Sequence, residues 1–339
     1  MIPLSVLDLV PVREGSGVRE ALREAGELAR AAEEAGYKRL WIAEHHATEG
    51  VAGGAVSVAL AHIGHCTSTI RIGAGGIMLP NHNPFVIAEQ FGALDGLFPG
   101  RVDLGLGRAP GAAPILGQAL RKDLHRAAEY FPQDVVELRA LLTGDLDLPI
   151  RATPGYGANV ELWMLGSSLF GAQLAARLGL PYAFASHFAP DHLDAALAAY
   201  RNQFQPSAAL ERPYAMAAMT VICGETDEEG ELLASSQDQA FVRLRTGDPG
   251  KLPPPVPGYR QGLPESARAM LERLSVARAV GSPETVGEKI ARFVERTGAD
   301  EIIVSGATFD PEARRRSLQL TMKAIGGSRI GTEGVREEG

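Results

Sequence analysis

The chain has 339 residues, of which 45% are hydrophobic, and a formal net charge of −8 at pH 7. That length and apolar content suffice for one large core, and α/β barrels of this size commonly form one domain. The acidic balance argues against nucleic acid as a partner, because binding a phosphate backbone needs a basic surface. The amino terminus lacks the basic region of a signal peptide, and no apolar stretch approaches the roughly 20 residues of a membrane span. We therefore expect a cytoplasmic protein that binds neither nucleic acid nor membrane.

Short apolar runs alternate with amphipathic segments along the chain. In chain order, strands are predicted over residues 4–10, 39–46, 70–79, 102–107, 161–166, 182–187, 214–223 and 301–305. Helices are predicted over residues 17–36, 55–67, 84–97, 123–142, 169–178, 190–204, 227–244, 284–297 and 311–325. Most of these strands are apolar almost throughout, as in parallel sheets buried on both faces. Eight strands, each followed by a helix, favour a closed (β/α)8 TIM barrel, with residues 1–325 as a single domain.

Three segments depart from this alternation. Residues 144–159 are rich in Pro and Gly and predict an irregular excursion before the fifth strand. Residues 247–283 predict an insertion after strand seven. Long loops in compact domains are usually functional or disordered, so this insertion is either a lid over the active face or a passive exposed loop. The polar, Gly-rich residues 326–339 predict a flexible tail.

Three ionisable residues, Glu44, His45 and His46, follow the apolar run at 40–43, where the second strand should end. The carboxyl ends of the strands form the active face of a TIM barrel, so this position indicates a site that handles protons or a charged ligand. Neighbouring side chains on a strand point to opposite faces, so one histidine should enter the barrel mouth and the other should pack toward the helices. The two imidazoles then do not converge, and no metal is expected. A purely structural role for the histidines is the alternative.

Strand three contains Ala74, Gly75 and Gly76. Glycines inside a strand often mark a bulge, or a place where a ligand closely approaches the backbone. A flat aromatic ligand lying against these residues would need the absence of side chains. The alternative is a bulge that only barrel packing requires.

The ends of strands four and five carry groups suited to a phosphate: Gly107, Arg108, Gly166, Ser167 and Ser168. The guanidinium of Arg108 offers a fork of donors that matches phosphate oxygens, although pairing with a carboxylate is equally expected. Ser167 and Ser168 lie at the start of a helix, and free N–H groups there form a ready anion site. A plain helix cap explains one of the two serines equally well.

His187 and Phe188 end strand six and either flank a ligand or pack in the core. The two cysteines, Cys66 and Cys223, form neither a zinc pattern nor a disulfide framework. No serine-nucleophile elbow and no Walker loop is present in the sequence.

These motifs, in this order, resemble the bacterial luciferase-like flavin monooxygenase family. The resemblance rests on residues 40–46 (LWIAEHH), 73–80 (GAGGIMLP) and 99–108 (PGRVDLGLGR), and it covers about residues 2–325. It implies a TIM barrel that binds FMN at the C-terminal mouth. In the family the first histidine of the Glu-His-His run is catalytic, which falls on His45, with Glu44 beside it.

The resemblance also assigns the remaining groups. It implies a non-proline cis peptide in the Ala74–Gly76 stretch beneath the flavin ring. It places the FMN phosphate against Arg108, Ser167 and Ser168, in agreement with the anion site expected from the residues.

The activity implied by the resemblance is a two-component monooxygenase. A separate flavin reductase would supply reduced FMN, O2 would be the oxidant, and a small organic molecule would be the substrate. His45 would act as the acid/base group, since an unperturbed imidazole pKa of about 6.5 suits that role. Family members are commonly homodimers. Light emission is not expected, because Leu106 and Gly107 stand where the luciferases have a cysteine, and Ala47 stands where they have an aromatic residue.

Three other functions stay open. One is a reductase of the same superfamily that uses the deazaflavin F420, and another is a flavin-binding protein without catalysis. The intact His45 argues against the second of these. A sugar-phosphate isomerase or aldolase barrel is a further alternative, but it lacks an evident lysine or acid pair at the strand ends.

Overall fold

The computed structural model describes residues 2–109, 114–144 and 149–327, whose strands form one parallel sheet. The strands are β1 (Leu4–Asp8), β2 (Arg39–Ile42), β3 (Arg71–Met78), β4 (Val102–Gly107), β5 (Glu161–Gly166), β6 (Tyr182–Phe184), β7 (Ala215–Cys223), β8 (Arg278–Gly281) and β9 (Glu301–Ser305). Their order is β6-β5-β4-β3-β2-β1-β9-β7-β8, and β6 also pairs with β7. That last pairing closes β1–β7 and β9 into an eight-stranded barrel, so the predicted TIM barrel is confirmed.

Helices cover the outside of the barrel. They are α1 (Val18–Ala35), α2 (Val56–Cys66), α3 (Pro84–Leu97), α4 (Pro114–Leu120), α5 (Leu124–Glu129), α6 (Phe131–Thr143), α7 (Leu169–Leu178), α8 (Leu193–Gln203), α9 (Asp227–Thr246), α10 (Glu265–Glu272), α11 (Pro283–Thr297) and α12 (Pro311–Gly327). In the described part of the chain, none of them is long and apolar enough to cross a membrane. Residues 328–339 of the predicted tail lie outside the described residues.

Local signals set several helix ends where the sequence predicts them. The Asn83 side chain accepts the backbone N–H of Phe85 at 2.9 Å and begins α3. Gly179 ends α7 with a left-handed φ of 61°, which glycine adopts without steric cost. The single helix predicted over residues 123–142 is wrong, because α5 and α6 meet there at Tyr130. Pro132 has no N–H for the preceding turn, so the helix restarts.

The predicted insertion over residues 247–283 is more structured than a loop. It contains α10 and then β8, whose residues Arg278–Gly281 pair with Thr220–Cys223 of β7. The sequence reading missed β8, since its four residues, beginning with an arginine, present too short an apolar run. The beginning of the insertion is held against the loop between β1 and α1, where Lys251 Nζ donates to the Ser16 carbonyl at 2.8 Å. The role of the insertion as a lid stays a prediction.

Side chains of the strands alternate between the barrel interior and the helix layer. The interior is filled by a separate apolar cluster: Leu7, Trp41, Ala43, Trp163, Ala183, Met216, Ala218 and Ile303. Leu40 and Ile42, the alternate positions of β2, pack in the larger core instead. Trp41 and Trp163 meet edge to face with ring centroids 5.2 Å apart, so large aromatic side chains fill the centre of the barrel.

A buried ion cluster closes the N-terminal end of the interior. Arg39 Nη1 donates to Asp103 at 2.7 Å and Arg39 Nε donates to Glu301 at 2.8 Å. Each of these three side chains is at most 2% exposed. Arg71 also donates to Asp103, and Lys38 donates to Glu301 at 3.1 Å. Burial acts to raise the pKa of Glu301, but Arg39 and Lys38 outweigh it and hold that pKa below its ordinary value.

Replacing the central cation should destabilise the barrel. Arg39→Met leaves Asp103 and Glu301 buried without their shared partner, so the free energy of unfolding should fall by about 3–5 kcal/mol. Arg292→Met is the matched control, because Arg292 pairs with Glu288 on the surface with 70% of its side chain exposed; it should change stability far less. Urea denaturation followed by circular dichroism measures both, and equal losses would contradict the role given to the buried cluster.

Candidate active site

Glu44 joins the ends of β2 and β3 through its carboxylate, which is 1% exposed. Its Oε2 accepts the backbone N–H of Met78 at 2.7 Å. Its Oε1 accepts from Nε2 of His82 at 2.7 Å and from Nε2 of His46. Burial acts to raise the pKa of Glu44, but the hydrogen bonds from these three residues and the charge of His82 lower it overall. Glu44 is therefore an ionised carboxylate at neutral pH.

The side chains after β2 keep the alternation of a strand although the strand itself is shorter than predicted. β2 ends at Ile42. Glu44 and His46 are two positions apart and meet on one side, whereas His45 shares the parity of the inward-facing Trp41 and Ala43. Ala47 then adopts a φ of 54°, which is uncommon for a residue with a Cβ, as the chain turns away. His45 and His46 consequently lie on opposite sides of this segment and have different surroundings.

His45 is a neutral imidazole with one nitrogen available. Its Nδ1 lies 2.5 Å from the Glu44 carbonyl oxygen and donates to it, which leaves Nε2 as an acceptor. The ring is exposed on its solvent side, yet the protein around its other sides desolvates it. That desolvation and the neighbouring His46 lower the pKa of His45, against a smaller opposing effect of Glu44. His45 can therefore accept a proton at neutral pH.

The glycine-rich part of β3 contains the bulge that its sequence predicts. The register against β4 shifts between Ala74 and Ile77, and the Gly75–Gly76 peptide is cis. A Cβ on Gly76 would lie 2.6 Å from the Gly105 carbonyl oxygen, so the close approach of β4 excludes a side chain there. Both glycines of the cis peptide are nevertheless partly exposed. The two alternatives are therefore compatible: barrel packing requires a glycine here, and the same glycines leave a stretch of backbone accessible to a ligand.

Arg108 follows β4 and is exposed. Its guanidinium carbon lies 4.1 Å above the centroid of the Phe170 ring, in the first turn of α7. No carboxylate among the described residues forms an ion pair with it, so the alternative of a structural ion pair is not seen in that part of the chain. The stacking holds a positive charge beside the N-terminus of α7.

Gly166, Ser167 and Ser168 connect β5 to α7. Ser168 is the N-cap residue of α7, but its side chain accepts no N–H from the first turn. Its hydroxyl and the first N–H groups of α7 are therefore available to a ligand. Because β4 and β5 are neighbours in the barrel, these donors belong to the same part of the mouth as Arg108.

His187 lies after β6, which ends at Phe184 rather than at the predicted residue. Its Nδ1 is buried and has no hydrogen-bond partner among the described residues. Burial lowers the pKa of His187 to about 4, so the ring is neutral at pH 7. Phe188 stands at right angles to it, with ring centroids 4.9 Å apart. This buried nitrogen without a partner lies after β6, the neighbour of β5, and a bound ligand would explain it.

His82 is the functional candidate that sequence reasoning missed. It follows β3 much as His46 follows β2, and these strands are neighbours in the barrel. Lys122 holds the turn that carries it, since Lys122 Nζ donates to the carbonyl oxygens of Pro80 and His82. The equivalent positions after two adjacent strands are the signal that could have found it.

Comparison with known proteins agrees with this architecture. A profile of the family described as luciferase-like monooxygenase matches residues 2–301. A protein of Escherichia coli (strain K12) with that same name is 47% identical over 322 residues, which are 95% of this chain and 96% of that protein. The crystal structure of apo-MsnO8 superposes with a TM-score of 0.85 at 34% identity, covering 96% of this chain and 99% of that one.

More distant structures share the fold with different cofactors. The oxygenating constituent of 3,6-diketocamphane monooxygenase of Pseudomonas putida, in complex with FMN, has a TM-score of 0.68 at 18% identity and covers 99% of each chain. An F420-dependent secondary alcohol dehydrogenase has a TM-score of 0.70 at 15% identity, covering 96% of this chain and 99% of that one. At such identities the likeness concerns the fold alone. The family profile and the closely similar relatives show that this chain belongs to the luciferase-like monooxygenase family.

Proposed function

We propose that the protein is the FMN-dependent monooxygenase component of a two-component system. A separate flavin reductase would supply the reduced flavin, and O2 would oxidise a small organic substrate. The observation that carries the proposal is Arg108, a cation without a described carboxylate partner, stacked on Phe170 beside the uncapped start of α7. A phosphate is the ligand that matches this combination of guanidinium, hydroxyl and helix N–H donors.

In this proposal, the same part of the barrel would also hold the rest of FMN. Arg108, Ser167 and Ser168 would bind the phosphate, and the small residues Gly107 and Gly166 leave their backbone open to it. The flavin ring would lie against the partly exposed backbone of the cis peptide in β3, next to Ala74. His187, at the following strand end, would offer its unpartnered Nδ1 to the cofactor. Bound FMN would supply electron transfer to O2, chemistry that no side chain of the protein can perform.

His45 would perform the acid/base step. The carbonyl of Glu44 fixes the tautomer of its ring, so that Nε2 accepts a proton. The Glu44 carboxylate would position this segment through Met78 and His82 rather than contact the substrate itself, because it is buried. Exclusion of water by the surrounding loops would protect the reaction of the reduced flavin.

A homodimer is part of the proposal. The adjacent helices α2 and α3 carry the exposed apolar side chains Val58, Val86 and Leu97. An apolar surface of this kind suits contact with a second subunit.

FMN binding tests the phosphate site. Arg108→Gln should raise the dissociation constant for FMN by about 10- to 100-fold, since a charge-assisted hydrogen bond contributes about 1.5–3 kcal/mol. Binding of riboflavin, which lacks the phosphate, should change little. Arg177→Gln, an exposed residue in the last turn of the same helix, is the control. Titration by flavin fluorescence measures all of these, and tighter binding of F420 than of FMN would favour the reductase alternative.

The role of His45 has a kinetic signature. In air-saturated buffer, the rate at which protein-bound reduced FMN is reoxidised should depend on pH, with an apparent pKa below the ordinary histidine value of 6.5. His45→Gln should remove that dependence without changing FMN affinity, and the exposed His192 offers the control His192→Gln. Stopped-flow absorbance follows the reaction. An unchanged pH profile in His45→Gln, with tight FMN binding, would favour a flavin-binding protein without catalysis.

Protonation of His187 should cost stability in acid. Its folded pKa of about 4 lies below its ordinary value of 6.5, so the unfolded chain binds this proton more readily. Stability should therefore fall as the pH drops through that window. Between pH 7 and pH 5 the wild type should lose about 2 kcal/mol more than His187→Gln. Urea denaturation at both pH values tests this, with His125→Gln as an exposed control; parallel losses in His187→Gln and the wild type would refute it.

A further inference from the structure

We propose that Glu44, His46 and His82 form a binding site for one divalent transition-metal ion, with Zn2+ as its probe. One ligand atom from each side chain lies within 4.8 Å of the other two. The three residues come from the ends of two neighbouring strands, β2 and β3, so the barrel itself brings them together. This inference does not rest on the proposed flavin chemistry.

The donor set indicates the class of metal. Two imidazole nitrogens and one carboxylate oxygen suit zinc and other first-row transition metals, whereas calcium and magnesium prefer oxygen alone. Bonds of about 2.0–2.2 Å to one ion place neighbouring ligand atoms roughly 3 Å apart. His82 Nε2 already lies 2.7 Å from Glu44 Oε1, so only a small outward movement of the ring is needed.

Glu44 is oriented for this role before any ion arrives. Its Oε2 is held by the Met78 N–H, which leaves Oε1 directed at both imidazoles. No lysine or arginine among the described residues forms an ion pair with this carboxylate. A divalent ion would supply a permanent positive charge beside this buried carboxylate, whereas the two imidazoles are charged only when protonated.

The two rings leave room for the ion and for its remaining ligands. The side chains of His46 and His82 are 22% and 30% exposed, so water can reach the open coordination positions. Neither ring makes a second hydrogen bond within the described residues. As hydrogen-bond donors, both rings must place a proton toward the same oxygen; as metal ligands, both would present a lone pair to one ion. The metal would thereby clamp the ends of β2 and β3 on the side away from His45.

Calorimetry with the full chain tests the site. After treatment with a chelator, titration with Zn2+ should show one ion per chain, and Ca2+ should not compete. His46→Gln and His82→Gln should each weaken Zn2+ binding by at least about 10-fold. His192→Gln, on the surface, should bind as the wild type does.

Two results would overturn the proposal. If the folded wild type does not bind Zn2+, the three residues are a hydrogen-bonded network only. If all variants bind equally, the ion is adventitious and sits elsewhere. Circular dichroism establishes that each variant is folded, and separate FMN titrations keep a failure of the flavin proposal distinct from a failure of the metal site.

Discussion

The barrel depends on the burial of one charged side chain, Arg39, in its interior. Closing eight strands into a cylinder leaves an inside that water does not fill, so any charge there needs a partner. Asp103 and Glu301, from β4 and β9, provide it. Arg71, Lys38 and Glu161 complete the cluster, which then holds three cations and three carboxylates. These groups, together with the packed tryptophans above them, close the N-terminal end. All groups with a candidate chemical role therefore lie at the other end.

At the C-terminal end the polar groups divide into two neighbourhoods. Glu44 organises the first, where it holds His46 and His82 and fixes the tautomer of His45 through its carbonyl. Arg108 marks the second, at the ends of β4 to β6. There the Ser168 side chain does not cap α7, and His187 Nδ1 has no hydrogen-bond partner within the part of the chain that the structure describes. The bulge in β3 lies between them. This division suits a ligand whose anionic tail lies beside Arg108 and whose reactive group lies beside His45.

Proteins with this fold include an FMN complex and an F420-dependent enzyme, so the barrel by itself does not select a cofactor. The choice of cofactor has to come from side chains at the strand ends, which can differ between proteins that share the same barrel. The guanidinium beside α7, which has no carboxylate partner among the described residues, and the inward parity of His45 are the features on which we base the proposal of FMN. The proposed metal site is a third, and it uses residues on the opposite side of the same segment.

Local sequence patterns were enough to predict the alternation of strands and helices, the ends of α3 and α7, the glycine bulge, and the place of Glu44 after β2. The sequence also predicted that His45 and His46 point to opposite sides, because side-chain alternation along a strand is a local rule. Which side chains come into contact depends on the folded barrel and could not be predicted from those patterns. His82 lies 38 positions from Glu44, and Phe170 far beyond Arg108, so neither contact leaves a periodic trace in the chain. Such contacts exist because parallel pairing aligns strand ends that the intervening helices keep apart in sequence.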